Sequence, residues 1–453
     1  MTTPLAALVL FLIAQDPDRP HLEDERRKEL EQEPRPDPET QDFVWDWGGW
    51  LSAQYLSIED EPFETERSQR FWDNRVWASA IAERRYRFYL RLRNTYQDFN
   101  QGDQFGDAEN EWQMFRLDQG YVEASWPEFA SSLLGPGSDL HAKAGRQYLL
   151  LGSGLVLNGV YDGIEADVRR RTCALKLFAA HTVVSDDDID RSLPDKDDSH
   201  RIFVGMQADY SGLGSHRPYA MFLLERDRNE EDDPVQNYEY NAWYLGAGVR
   251  GSAFTRGFGY MAEIVYEGGT SPAAGTVKSE PISALAMMLG VEYFAPLPTS
   301  PLFFASFWYA SGDGDRTSPT DSATGNLLGS TDTGFLSFGY VPTGFAVSPR
   351  VSNIRILRIG GTFKPLEQFA FTRTLELGFA FYHFTKSEEK EAITDPRSFL
   401  DDAAVGWELD VFMRWRLLSD LGASLNYGHF VPGGAYLEDS PRDFWSLGLT
   451  YSF

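Results

Sequence analysis

Between Arg85 and Gln97 the sequence reads Arg-Tyr-Arg-Phe-Tyr-Leu-Arg-Leu-Arg-Asn-Thr-Tyr-Gln. At a period of two it divides into incompatible faces. Tyr86, Phe88, Leu90 and Leu92 fall on one side, and Arg85, Arg87, Tyr89, Arg91 and Arg93 on the other, because successive strand side chains point to opposite faces. One face suits hydrocarbon, and the other carries charges that persist at any relevant pH. A soluble sandwich offers no pair of environments for these faces. A transmembrane barrel does, with lipid outside and water inside.

The rest of the chain repeats this alternation. Trp243, Leu245, Ala247 and Val249 oppose Gly246, Gly248 and Arg250; Leu375, Leu377, Phe379 and Phe381 oppose Glu376, Gly378 and Tyr382; Trp407, Leu409, Val411 and Met413 oppose Glu408, Asp410, Phe412 and Arg414. From residue 43 onward the pattern is strand, turn, strand, without a convincing amphipathic helix. It predicts an all-β fold, a transmembrane antiparallel barrel of about 18 strands, whose even number puts both termini on the periplasmic side. Aromatic residues gather toward the strand ends (Trp72, Trp77, Trp126, Tyr293, Tyr427, Trp445), where amphipathic rings favour a lipid–water interface. The final strand, Asp443–Phe453, places Trp445, Leu447, Leu449, Tyr451 and Phe453 on one face. Its terminal aromatic resembles the signal read by the outer-membrane barrel insertion machinery.

Three segments precede or interrupt this pattern. Residues 1–14 form the one continuous apolar block, too short to span but of the length of a signal-peptide core, although no Lys or Arg precedes it. Residues 15–42 are charged and Pro-rich and read as a disordered periplasmic leader, leaving 43–453 for the barrel. Short turns such as Glu83–Arg84 and Arg170–Thr172 alternate with long polar segments, as expected of periplasmic turns and outer loops. The connection from Gly312 to Ser352 is about 40 residues long, and loops of that length are usually functional or disordered. Its Phe335–Tyr340 run is apolar enough to pack, which predicts an inward-folded constriction, with an outer cap or hairpin as the alternative.

The net charge of −27 argues against a nucleic-acid partner, and most of the acid lies in the long loops. There it serves solubility, divalent-cation bridging to anionic lipopolysaccharide, or a gate. The single cysteine, Cys173, cannot form an internal disulfide and reads as a packed strand residue. An enzymatic barrel would need a nucleophile with a base, or paired acids, at the wall. His181, His383 and His429 lie near strand ends, and Gly-Ser-Gly at 152–154 lacks the context of a hydrolase elbow. No phosphate loop or metal-ligand cluster is recognisable, so neither cofactor nor metal is expected.

Lys-Ala-Gly-Arg-Gln-Tyr at 143–148, Leu-Val-Leu-Asn-Gly-Val-Tyr-Asp-Gly at 155–163 and Tyr-Ala-Ser-Gly-Asp at 309–313 resemble the alginate-export family of outer-membrane barrels. The likeness extends to the Arg-rich third strand and the terminal Phe453. It implies an 18-stranded monomeric channel in contact with outer-membrane lipid and lipopolysaccharide, with an electropositive constriction that passes an anionic polyuronate. The candidate lining is Arg85, Arg87, Arg91 and Arg93, joined by strand parity or motif by Arg146, Lys176, Arg250, Arg358, Arg414 and Arg416. Rings of Arg or Lys select anions, and guanidinium meets carboxylate bidentately. The alternatives are internal pairing of these arginines, with Glu123, Glu165 and Asp167 as partners, and a porin for other small solutes.

Overall fold

The computed structural model describes residues 43–60, 65–103, 110–184, 186–193, 198–229, 233–252, 257–316 and 318–453; the expected signal peptide and leader lie outside them. Eighteen strands follow one another: β1 (Phe43–Asp60), β2 (Thr65–Ala82), β3 (Tyr86–Phe99), β4 (Glu111–Ser125), β5 (Ser138–Leu151), β6 (Leu157–Arg170), β7 (Cys173–His181), β8 (Arg201–Tyr210) and β9 (His216–Asp227). The second half comprises β10 (Asn241–Ser252), β11 (Phe258–Pro272), β12 (Ser279–Phe294), β13 (Leu302–Ala310), β14 (Ile354–Phe363), β15 (Glu376–Lys386), β16 (Ala404–Arg416), β17 (Leu421–Pro432) and β18 (Arg442–Ser452). Each is antiparallel to its sequence neighbours, and β1 closes the ring on β18 from Trp50↔Ser452 to Asp60↔Arg442. Closure leaves no edge whose polar groups would meet lipid. Phe453 finishes the seam: it exchanges two 3.0 Å backbone hydrogen bonds with Gly49, and its ring lies edge-on to Trp47.

The two faces of β3 separate as the sequence requires. Phe88 and Leu90 are 49% and 46% exposed on the outside, whereas Arg91 is 5% exposed on the inside. Outward aromatics cluster near the rims, as in the row Trp72–Tyr96–Trp112 and the pairs Phe381–Trp407 and Tyr427–Trp445. The turns at the end holding the start of β1 and the end of β18 are mostly tight. Glu83 and Arg84, at φ 50° and 55°, form one with the twist a hairpin favours. Long connections, including 182–200, 311–353 and 387–403, join the strands at the other end.

Four residue-level expectations are corrected. A short helix, α1 (Pro127–Leu134), interrupts the β4–β5 connection, started by the preset φ of its proline. Arg85 precedes β3 in the tight turn, where its guanidinium lies 3.7 Å from Glu128 of α1, so it stands outside the lumen-facing row. Cys173, first in β7, shares the parity of the outward Leu177 and is exposed rather than packed. Trp77 faces the lumen instead of the interface, because it pairs with Arg91 across β2 and β3.

The barrel is not hollow. Its apolar cluster combines inward strand residues such as Phe203, Leu223, Tyr244, Ile356 and Phe384 with Leu155, Val156, Phe335, Val347 and Ile393 from connecting segments. Two segments that enter the lumen supply most of the non-wall part.

Candidate channel lining

The first is the β5–β6 hairpin. Its two strands pair continuously from Ser138↔Arg170 to Leu151↔Leu157. Yet β4 pairs with β5 only as far as Gly120↔Arg146, and β6 pairs with β7 only from Asp162↔His181. Residues 147–161 therefore leave the wall and cross the interior. At the tip Gly152 N–H donates to Gln207 Oε1 of β8, and Ser153 donates through N–H and Oγ to Glu263 of β11 at 2.8 and 2.6 Å. Gly145 and Gly163 face each other where the hairpin departs. Gly145 has φ +126°, and a Cβ there would collide with the Gly120 carbonyl; one on Gly163 would collide with the Ala179 carbonyl. Only glycine permits this approach.

The second is the 311–353 connection, which folds inward as its Phe335–Tyr340 run predicts. Phe338 bridges in parallel to Leu157 of the hairpin, and its N–H donates to Val156 O at 3.0 Å. Leu336 N–H donates to Glu267 of β11 at 3.0 Å, and Leu336 O accepts from the Tyr244 hydroxyl at 2.7 Å. Further along, Phe345, Ala346 and Val347 N–H groups donate to the Glu408 carboxylate of β16 at 2.5, 2.8 and 3.1 Å. Phe345 stacks on Phe444 of β18, 6.0 Å between centroids. Acids on β11 and β16 thus hold a plug by its backbone, which would otherwise carry unsatisfied groups into an apolar interior. A buried Arg201 on β8 adds a strap. It donates to Asp188 of the 182–200 loop at 2.8 and 2.7 Å and to Glu225 at 3.0 Å, and lies 3.1 Å from Asp227.

The wall from β1 to β4 carries the opposite sign. Arg75, Arg91 and Arg93 converge on Asp73 and Asp118: Arg75 and Arg93 each reach both Asp73 oxygens, and Arg91 Nε donates to Asp118 Oδ2 at 2.5 Å. Arg75 also lies 3.2 Å from Asp118. Among the described residues this group brings three guanidiniums to two carboxylates. Trp50 lies beneath the Arg75 and Arg91 guanidiniums, 5.4 and 5.6 Å from its ring centroid. Arg87 continues the row toward the periplasmic end and donates to Ser79 Oγ at 3.3 Å. Arg116 is paired in register with Arg93 and exposed. In the loop above, burial raises the Asp186 carboxyl while Arg116, Arg146 and Arg93 oppose that rise.

The sequence model for alginate export matches residues 55–448. The chain belongs to the alginate-export family. An 18-stranded closed barrel of this family is an outer-membrane channel, and its family and fold are those of channels rather than enzymes. Similar solved structures include Pseudomonas aeruginosa OccK11 (OpdR), at 13% identity and TM-score 0.55 over 90% of this chain and 96% of that one. Acinetobacter baumannii OccAB1 matches at 10% identity and TM-score 0.55, over 90% and 96%. Pseudomonas aeruginosa OprD matches at 11% identity and TM-score 0.53, over 92% and 97%. At such identities the likeness concerns the barrel alone. No curated protein sequence matches significantly.

Within this family member the expected lining residues separate. Arg87, Arg91 and Arg93 share one lumen wall. Arg146 sits at the hairpin hinge, bound to Asp162. Lys176 lies 3.6 Å from Glu165, Arg250 lies 3.3 Å from Asp209, and Arg414 lies 3.7 Å from Glu376. Arg358 rests over Phe304, 4.2 Å from its centroid, and Arg416 donates to Ser419 O in a turn. Internal pairing occurs, but for Arg91 and Arg93 the acids shown are Asp118 and Asp73, not the expected Glu123, Glu165 and Asp167. Those three, with His141, Lys143 and Arg169, line a recess nearer the periplasmic end. Arg75, Arg116, Lys143 and the anchoring Glu263, Glu267 and Glu408 add to the expected set. Strand parity marks each as inward except Arg116, which the register shift between Arg91 and Leu92 sets opposite Arg93.

Proposed function

We propose that this channel passes an anionic solute, with uronate-type polysaccharide as the substrate class, along the arginine wall of β2–β4. The observation that carries this reading is the Arg75–Arg91–Arg93 group, three guanidiniums gathered with Asp73 and Asp118 on the side away from the acid-anchored plug. Between low-dielectric walls a cluster of guanidiniums raises the local concentration of anions. Arg87 and Arg116 extend it along the transport axis, and several moderate sites suit a polymer that must also leave. Family membership supports the uronate class, because each sugar of such a polymer presents one carboxylate that a guanidinium fork can hold.

A second reading, a diffusion porin for small anions, draws support from the plug. The hairpin and the 311–353 connection take up much of the outer lumen and narrow any path beside them. One solved relative in fold, OpdK of Pseudomonas aeruginosa, carries vanillate, a small carboxylate.

Planar-bilayer recording tests the reading. The wild type is expected to be anion-selective, to be blocked by uronate oligomers, and to lose both properties in Arg87→Glu and Arg91→Glu. Cation selectivity indifferent to those changes would refute it. Block by small carboxylates but not by oligomers would move the assignment to the porin.

A further inference from the structure

We propose a sugar-ring subsite on the lumen wall from β2 to β5, built by Trp77, Tyr89 and Tyr121; it deepens the anion-path reading and rests on it. The three rings make one unbroken row. Trp77 and Tyr89 lie 6.3 Å apart with planes 19° from parallel, and Tyr89 and Tyr121 lie 5.2 Å apart at 26°. Register places all three inward: Tyr89 pairs with Tyr121, while the alternate residues Phe88, Leu90 and Val122 are exposed outside. Each ring is half-buried, so part of its surface faces the lumen.

Cross-strand aromatic pairs stabilise a sheet anywhere. What marks this row is its coupling to cations. Arg87 Cζ stands 5.7 Å from the Tyr89 centroid, and Lys143 Nζ stands 4.6 Å from that of Tyr121. Arg91 pairs with Trp77 in register. Ring and cation therefore recur together along four adjacent strands, just below the Arg75–Arg91–Arg93 group.

A hydrated inorganic anion has no use for the rings, and a neutral sugar has none for the cations. A uronate residue has both matching surfaces. The C–H groups on one pyranose face can lie against the negative face of an aromatic ring, and the carboxylate meets the adjoining cation. Contacts of this kind are individually weak, so the sugar can be held and released in succession.

Single-channel recording with the full-length protein tests this with three probes: hexagalacturonate, maltohexaose and a hexaglutamate peptide. The Tyr89→Leu/Tyr121→Leu variant should shorten hexagalacturonate blocks roughly threefold to tenfold. It should weaken any maltohexaose block and leave hexaglutamate blocks unchanged. Tyr89→Phe/Tyr121→Phe should keep wild-type dwell times. If the leucine pair does not insert, Trp77→Leu is read by the same criteria. Equal shortening for hexagalacturonate and hexaglutamate, or no change for either, overturns the subsite and leaves the arginine path standing. Absence of block by both anionic probes in the wild type refutes the arginine path. The subsite then survives only if maltohexaose still blocks in an aromatic-dependent way, and otherwise falls with it.

Discussion

The Arg146 guanidinium holds the Asp162 carboxylate through two hydrogen bonds, Nε to Oδ1 at 2.8 Å and Nη2 to Oδ2 at 2.7 Å, beside the facing glycines Gly145 and Gly163. Arg146 Nη1 also donates to Leu117 O on β4, tying the hinge to the wall at the point where the hairpin departs. Arg146→Ala is expected to loosen the hairpin at a cost of about 1–2 kcal/mol, moderated by partial exposure of the pair. Faster amide exchange over 147–161 and noisier open-channel current would show it. Gly163→Val is expected to act more severely, because its side chain meets the Ala179 carbonyl. Its readout is loss of the compact, heat-modifiable band on electrophoresis.

Arg201 is fully buried among Asp188, Glu225 and Asp227. Arg201→Met leaves three buried carboxylates without their shared cation, and breaking such a group costs about 3–5 kcal/mol. The expected outcome is a lowered urea midpoint and release of the 186–193 segment from the barrel mouth, measured by protease sensitivity there. Arg201→Lys keeps the charge but loses the fork, and should fall between the two.

Strand by strand, the barrel was legible because every strand meets the same two solvents, so the inward and outward signal repeats around the ring. The same repetition hid the hairpin. Leu149 and Leu151 alternate with Tyr148 and Leu150 just as wall residues do, and periodicity cannot tell lipid from an apolar plug. The clue was local: Gly145–Arg146 and Asp162–Gly163, the segments that carried the family resemblance, are the hinge itself. Glu408 was legible as inward-facing, but its three backbone donors come from residues 345–347, over 60 positions away. No short-range pattern records such a pairing. Arg85 failed for a simpler reason: period-two counting ran one residue past the start of β3 into the turn.

Glu408 is the anchor of the plug beside β16. Removing its carboxylate in Glu408→Ala strands three N–H groups in a buried site, where each unsatisfied donor costs about 1–3 kcal/mol. The segment 343–347 should then leave the wall for water, widening the path. A raised single-channel conductance is expected, with the strand core still resistant to amide exchange. Glu408→Gln retains an acceptor oxygen and should raise conductance less.

The outer end of the plug should respond to pH with a defined sign. Glu391 of the 387–403 loop accepts from Asp313 N–H at 2.7 Å and shares its surroundings with Asp313, Asp332 and Arg316. Burial pushes the Glu391 carboxyl up to about 8, even though Arg316 opposes the shift, and burial with the Asp332 charge raises Asp313 as well. A carboxyl whose pKa is raised in the packed state binds its proton more tightly there than in a released loop. Its contribution is therefore complete below the ordinary carboxylate range and is lost as pH rises through about 8. Asp395 in the same loop behaves oppositely: despite burial, Arg442 and Arg397 hold it below its usual range, so its clasp on Arg442 persists into acid. Amide exchange over 388–392 should accelerate between about pH 6 and 9, after correction for intrinsic rates, while 395–398 stays protected. Glu391→Gln should weaken the acceleration, since it cannot ionise, and leave the part that Asp313 carries. Unchanged pH dependence in that variant would show that Glu391 does not carry the response.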